Sequence, residues 1–330
     1  MPDDTNGVCA VQTRSAKKPR RRILASPLRL VVIGLAAMAI VVGGVAVGRH
    51  LSADSPPVAG NTAEAPKPTP VSLPAAPSPM VLPDGAGQSE SGRFEAEFAA
   101  LEATLDADVG VVVRPVGTGP APVAAGEQGV DSAWSTIKVP LAIAGLRAAD
   151  PPEVTDVMRA AITRSDNAAA ESIWQSLGDP ATAAQKVQDV LAQTGDPTVV
   201  ESEKVRPEFT AFGQTIWSLA NQAMFLSSAV CDVRNEPIMS LMSEIEPGQR
   251  WGLAVIPGVR SKGGWGPSES GAYLVRQMGI VPLPAGSAVV TVAATPRSGS
   301  FEDGARVLTQ IADWLSQHDD LLPAGNCPSP

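Results

Sequence analysis

The sequence predicts an α+β fold: an antiparallel sheet built from both termini of the folded region, with flanking helices and an inserted helical subdomain. Three observations lead there. A β-branched run, "DVGVVVRPV", lies near the start of the region. Two further runs, "GAYLVRQMGIVPL" and "AGSAVVTVAAT", lie near its end. The long stretch between them carries helical apolar spacing. Strands at both ends with helices between them are satisfied by one sheet that both termini share.

Taken in order, the folded region begins near Arg93 and runs to residue 330. "RFEAEFAALEATL" has apolar residues at helical spacing and predicts a helix. "DVGVVVRPV" is a strand, and "APVAAGEQG" is the next strand of a hairpin. "AWSTIKVPLAIAGLR", residues 133–147, is an apolar helix, and helices continue to about Ser228. The two late runs are strands, and "FEDGARVLTQIADWLSQH" closes the chain as an amphipathic helix. No internal repeat is evident.

The residues before Arg93 read differently. Residues 1–50 hold eight Lys/Arg against two acids, a net +6, so the rest of the chain carries −15 of the total −9. An acidic body is a poor nucleic-acid binder, and no nucleic-acid partner is expected. Seven of the eight basic residues precede an uncharged apolar run over residues 30–48, close to the ~20 residues that span a bilayer. The positive-inside rule then predicts a cytoplasmic tail over residues 1–29, a single-pass anchor over 30–48 and an extracytoplasmic remainder. A cleaved signal peptide with secretion is the other reading. Residues 49–92 are rich in Pro, Ala and Ser, which predicts a semi-extended linker. Cys9 precedes the run. The remaining cysteines, Cys231 and Cys327, would form a disulfide in an oxidising exterior or remain as two buried thiols.

Within the apolar helix, Ser135 and Lys138 stand three residues apart, which on a helix puts them on one face. A lysine in a first helical turn opposes the helix dipole, and burial lowers its pKa. Such an amine can accept a proton from a serine hydroxyl. A serine N-cap and a snorkelling lysine would leave the same residues without chemistry. Two later clusters bear on the choice. Ser165-Asp166-Asn167 lies in "ITRSDNAAAESIW", and Lys262-Gly263-Gly264 lies in "VRSKGGWG". Alone, the first reads as a helix cap and the second as a glycine turn.

Together and in this order the three clusters resemble the S-x-x-K, S-D-N and K-T-G signature of the serine β-lactamase and penicillin-binding protein superfamily. The resemblance is closest to class A β-lactamase-like serine hydrolases and spans most of residues 93–317. It implies a β-lactamase-like fold with Ser135 as acylated nucleophile and Lys138 as its proton acceptor. Ser165 would relay a proton to the leaving amine, and Asn167 would hold a substrate amide. Lys262 would supply positive charge. The backbone N–H groups of Ser135 and Trp265, beside Gly264, would form the oxyanion hole. No cofactor or metal is implied.

The pattern also departs from the family. Gly263 stands where a threonine hydroxyl would bind a substrate carboxylate, and Trp265 follows at the substrate edge. The interval between Ser135 and Ser165 is short, so the helical subdomain must be trimmed. Glu201, Glu203 and Glu208 lie where a deacylating glutamate would be sought, in no recognisable copy of its loop, and read as solvated surface acids. Efficient β-lactam hydrolysis is therefore not expected. The two histidines, His50 and His318, support neither a Ser-His-Asp triad nor a zinc site. Two functions are carried forward. One is a membrane-anchored serine hydrolase acting on an amide or ester, with cell-wall peptides or a small molecule as substrate. The other is an inactive relative that binds cell-envelope material in the same cleft.

Overall fold

A computed structural model describes residues 89–127 and 129–329. The basic tail, the apolar run at 30–48, His50 and most of the proline-rich segment lie outside the described residues. No helix among the described residues is long and apolar enough to cross a membrane.

The elements follow one another as α1 (Glu90–Glu102), β1 (Ala107–Pro115), β2 (Val123–Gly126), β3 (Val130–Ser132), α2 (Lys138–Ala148), α3 (Asp156–Thr163), α4 (Asn167–Ser176), α5 (Pro180–Ala192), β4 (Ile216–Ser218), α6 (Leu219–Ala229), α7 (Glu236–Leu241), β5 (Arg260–Pro267), β6 (Tyr273–Leu283), β7 (Gly286–Pro296) and α8 (Phe301–Gln317). Helix α1 starts three residues before Arg93, because Ser89 Oγ accepts from Gly92 N and caps it there. Five strands form one antiparallel sheet in the order β2-β1-β7-β6-β5. Its N-terminal strands β1 and β2 join its C-terminal strands at β1–β7, as the α+β reading requires.

Strand alternation gives the sheet two buried faces. Val109, Val111 and Val113 of β1 pack with Phe94 and Phe98 of α1 and with Leu308 and Ile311 of α8. The indole of Trp314 meets both phenyl rings edge-on, at 5.7 and 5.5 Å. Val112 of β1, Met278 and Ile280 of β6 and Val289 of β7 face the other way, onto the helical subdomain. That subdomain is small: α3 alone fills the interval between α2 and Ser165.

Two features were not visible in the sequence pattern. The first is a separate two-stranded sheet, β3 with β4, pairing Asp131 with Trp217 and Ser132 with Ile216. Three-residue strands carry too little periodicity to be seen locally. The second is a 3-10 turn at Trp134–Ile137, so the α-helix begins at Lys138 rather than at Ser135. The sulfurs of Cys231 and Cys327 are bonded at 2.06 Å, tying the C-terminal tail to the segment after α6. Asn326 pairs with Thr118 beside it.

Candidate active site

Ser135 sits in the 3-10 turn between β3 and α2. Ala133 N donates to Thr215 O at 2.7 Å, and Thr136 Oγ1 donates to Ala133 O at 2.6 Å. Gln222 of α6 donates to Thr136 Oγ1 at 2.7 Å, and its Oε1 accepts from Arg276 at 3.2 Å. The same guanidinium donates to the carbonyls of Asp131, Ser132 and Trp217. Arg276 is 1% exposed, and burial lowers its pKa to about 10, against a smaller raising effect of Asp131. A cation bonded to three carbonyls thus fixes both strands of the small sheet that leads into Ser135.

Lys138, 1% exposed, donates to Ser165 O at 2.5 Å and to Asn167 Oδ1 at 2.7 Å. Burial pushes its pKa down to about 7, opposed by the nearby Asp166 carboxylate. Asp166 itself caps α4 by accepting from Ala169 N at 2.9 Å. Cap and site are therefore the same loop, and the two readings of Ser-Asp-Asn are not exclusive. Lys262 on β5, also 1% exposed, donates to Ser165 Oγ at 2.8 Å and to Gly263 O at 2.7 Å. Its pKa lies well below the usual lysine value, first through burial and then through the charge of Lys138. The ammonium groups of Lys138 and Lys262 thus meet on opposite atoms of one residue, Ser165.

Ser135, Lys138, Asn167 and Trp265 line a single cleft of about 340 Å³. Ser165 and Lys262 stand behind it through the bonds just given, and Gly264 abuts the backbone of the serine turn. A Cβ at Gly264 would lie 2.8 Å from Ser135 N and 2.9 Å from Thr136 N. Only glycine lets β5 run against the backbone of the serine turn. Among the described residues no hydrogen bond joins Ser135 Oγ to Lys138 Nζ. The amine is instead held by Ser165 and Asn167, one wall of the cleft away.

Two non-glycine residues among those described have positive φ, Trp134 at 49° and Ser165 at 60°. Left-handed backbone costs a non-glycine residue roughly 1–3 kcal/mol and persists where the surroundings impose it. Trp134 is imposed on by Phe209, edge-on at 5.0 Å, and by close approach to Gly266. Both residues adjoin the proposed chemistry, Trp134 directly before Ser135.

The departures have physical causes. A Cβ at Gly263 would lie 2.9 Å from the ring of Trp251, so that indole occupies the room a threonine would need. Trp265 lines the cleft and packs among aromatic residues. The ring rests against Phe301 at 5.0 Å and Trp251 at 5.8 Å.

Of the three loop acids, Glu208 lines the cleft and lies 3.3 Å from Arg206, Glu201 lines an adjoining cavity, and Glu203 is exposed. The sequence reading missed Glu171. It stands four residues after Asn167, hence on the same face of α4, and lines the cleft. Helical spacing from Asn167 would have pointed to it. The loop between α5 and β4 forms the opposite lip. Asp196 anchors it, accepting from Trp217 Nε1 at 2.7 Å and Thr198 N at 2.9 Å, and Gln214 Oε1 receives Arg206 N at 2.8 Å. His318 at the end of α8 has Nδ1 at 2.8 Å from Trp314 O, remote from the cleft.

No protein-family model matches the chain, and no curated protein matches it in sequence. Solved structures do match it. A β-lactamase from Streptosporangium roseum is 18% identical, covering 70% of this chain and 99% of its own, with a TM-score of 0.54. A class A β-lactamase representative from Bacteroides cellulosilyticus is 15% identical, covering 69% and 97%, at 0.55. A β-lactamase from Xanthomonas campestris is 17% identical, covering 70% and 98%, at 0.55. The antiparallel sheet shared by both termini, and the helices on its two faces, thus share their fold with these β-lactamase structures.

Proposed function

We propose that the protein is a serine hydrolase that forms an acyl-enzyme at Ser135 and acts on an amide or ester, with cell-wall peptides as the candidate substrate. One observation carries the proposal. A buried lysine with no carboxylate partner, Lys138, has a pKa near 7 and shares a cleft with a serine in a strained turn. Desolvation without an ion pair brings a share of the amine to its neutral form near pH 7, and a neutral amine is a base. Lys138 takes the proton of Ser135 Oγ as that oxygen attacks the carbonyl carbon. The oxyanion is received by the N–H groups of Ser135 and Trp265. Lys262 and Ser165 deliver a proton to the leaving group, and Asn167 holds a substrate amide through its Nδ2. The filled space at Gly263 removes a hydroxyl for a substrate carboxylate, so β-lactams and acyl-D-alanine termini are not the favoured substrates.

The proposal places the domain outside the cell, tethered through residues 30–48 and the proline-rich linker. The basic residues before that run and the Cys231–Cys327 disulfide support it, since disulfides persist in oxidising compartments. The test is covalent labelling of the full-length chain with a fluorophosphonate and with activated esters, read by intact mass. A single adduct that disappears in Ser135→Ala is expected. Labelling that survives in Ser135→Ala, or none in the native chain with any probe, would sink the proposal.

A further inference from the structure

A second cavity of about 390 Å³ adjoins the Ser135 cleft, and Trp134, Gly266 and Pro267 line both. A stack of side chains stands between them. Phe209 lines the cleft and Arg206 lines the second cavity, with the guanidinium carbon 4.3 Å from the centre of the phenyl ring. Phe209 meets Trp134 edge-on at 5.0 Å, and a Cβ at Gly266 would lie 2.4 Å from the indole. Arg206 Nη1 donates to Pro267 O at 2.6 Å. That bond runs from the loop between α5 and β4 to the end of β5, so it joins the two lips of the cleft. The loop is stiffened behind it. Gln214, which is buried, accepts from Arg206 N and donates to the carbonyls of Arg206 and Thr210, both at 3.2 Å. Beyond the bridge, Val205, Ile216 and Leu274 wall the second cavity, and the first two are large apolar side chains left exposed.

Resting on the acyl-enzyme reading, we propose that Arg206 is a specificity-determining residue, whose bridge to Pro267 closes the cleft at the end of β5 and withholds the second cavity from the substrate. The group that lies along β5 from Ser135 must then end short of Gly266, which favours compact amides and esters over long-chain ones. With the bridge removed, cleft and cavity form one groove, and Val205 and Ile216 become the wall for an extended apolar chain. A guanidinium suits the task, because its plane stacks on Phe209 while one N–H reaches the carbonyl of Pro267. A lysine ammonium keeps a donor but has no plane to stack. Among the described residues Arg206 makes no hydrogen bond to Ser135, Lys138, Ser165 or Lys262, so selectivity is separable from the chemistry.

The experiment times adduct formation by the full-length chain, read by intact mass, with a methyl-chain and an octyl-chain fluorophosphonate. The tetrahedral phosphorus leaves the chain free to lie toward the end of β5. The native protein should react faster with the methyl probe. Arg206→Ala should raise the octyl-to-methyl rate ratio about tenfold or more, the scale on which an apolar pocket discriminates chain length. Arg206→Lys should raise it less. Ile216→Trp added to Arg206→Ala fills the second cavity and should return the ratio toward native. A merely loosened fold would change both rates together and leave the ratio alone. A native preference for octyl, an unchanged ratio in Arg206→Ala, or a gain that survives Ile216→Trp overturns the assignment while the Ser135 adduct stands. A native chain that reacts with neither probe removes the acyl-enzyme itself, and this proposal with it.

Discussion

The two buried faces of the sheet differ in what they contain. Between the sheet and α1/α8 the filling is apolar and aromatic, with Phe94, Phe98, Leu308 and Ile311 each at 0% exposure. Between the sheet and the helical subdomain, three cations are equally buried: Lys138, Lys262 and Arg276. None of the three has a carboxylate within ion-pair distance among the described residues. Burying an uncompensated cation opposes folding, so this face gives up stability that the first face keeps. The first face is free of that constraint. The lesson is a division of labour: one layer holds the sheet together, and the other holds amines whose pKa burial lowers.

The comparison breaks most sharply at the nucleophile. Ser135→Ala should abolish every covalent adduct while leaving the melting temperature within a few degrees. Lys138→Met should lower the acylation rate by about 10²–10⁴-fold, the range for a lost general base, without a matching loss of stability. A chain that unfolds on Lys138→Met would show that the amine is structural. The native acylation rate should rise with pH and level off above about 7, as Lys138 loses its proton. The folded-state pKa of this lysine lies below its unfolded value of 10.5, so the unfolded chain binds the extra proton between those two values. Stability should therefore rise with pH from about 7 to 10.5, Lys262 acting in the same sense. Chemical denaturation across that window, in native and Lys138→Met chains, measures the share due to Lys138.

On the other face the effects should fall on stability alone. Phe98→Ala should cost about 3–5 kcal/mol in denaturant titration and leave the acylation rate of the folded fraction unchanged. Adjacent glycines of β5 give the finest test, since they point to opposite faces. Gly264→Ala meets Ser135 N and should slow acylation. Gly263→Ala meets Trp251 and should destabilise by about 1–3 kcal/mol through overpacking, with acylation retained. Equal phenotypes from the two would erase the distinction between the faces.

Much of this was legible beforehand. The β-branched runs of β1, β6 and β7 and the amphipathic α8 announce themselves by period. The sheet shared by both ends follows, because such strands have no other way to bury two faces. Ser135, Lys138, Ser165, Asn167 and Lys262 could be picked out through the resemblance of their three clusters, in order, to a family signature. Their contacts could not: the i to i+3 spacing suggested a Ser135–Lys138 pair, whereas the lysine bonds to Ser165 and Asn167. The small β3/β4 sheet, its clamp by Arg276 and the place of Glu171 were also hidden, because each joins segments tens of residues apart.

The sequence by itself determined which elements form and which residue types are available for acyl chemistry, since periodicity and local capping act over a few residues. Only the tertiary structure decided that two lysines lose their water around one serine, and that Trp251 fills the space over Gly263. Desolvation and steric exclusion are set by neighbours distant along the chain, and no local pattern encodes them.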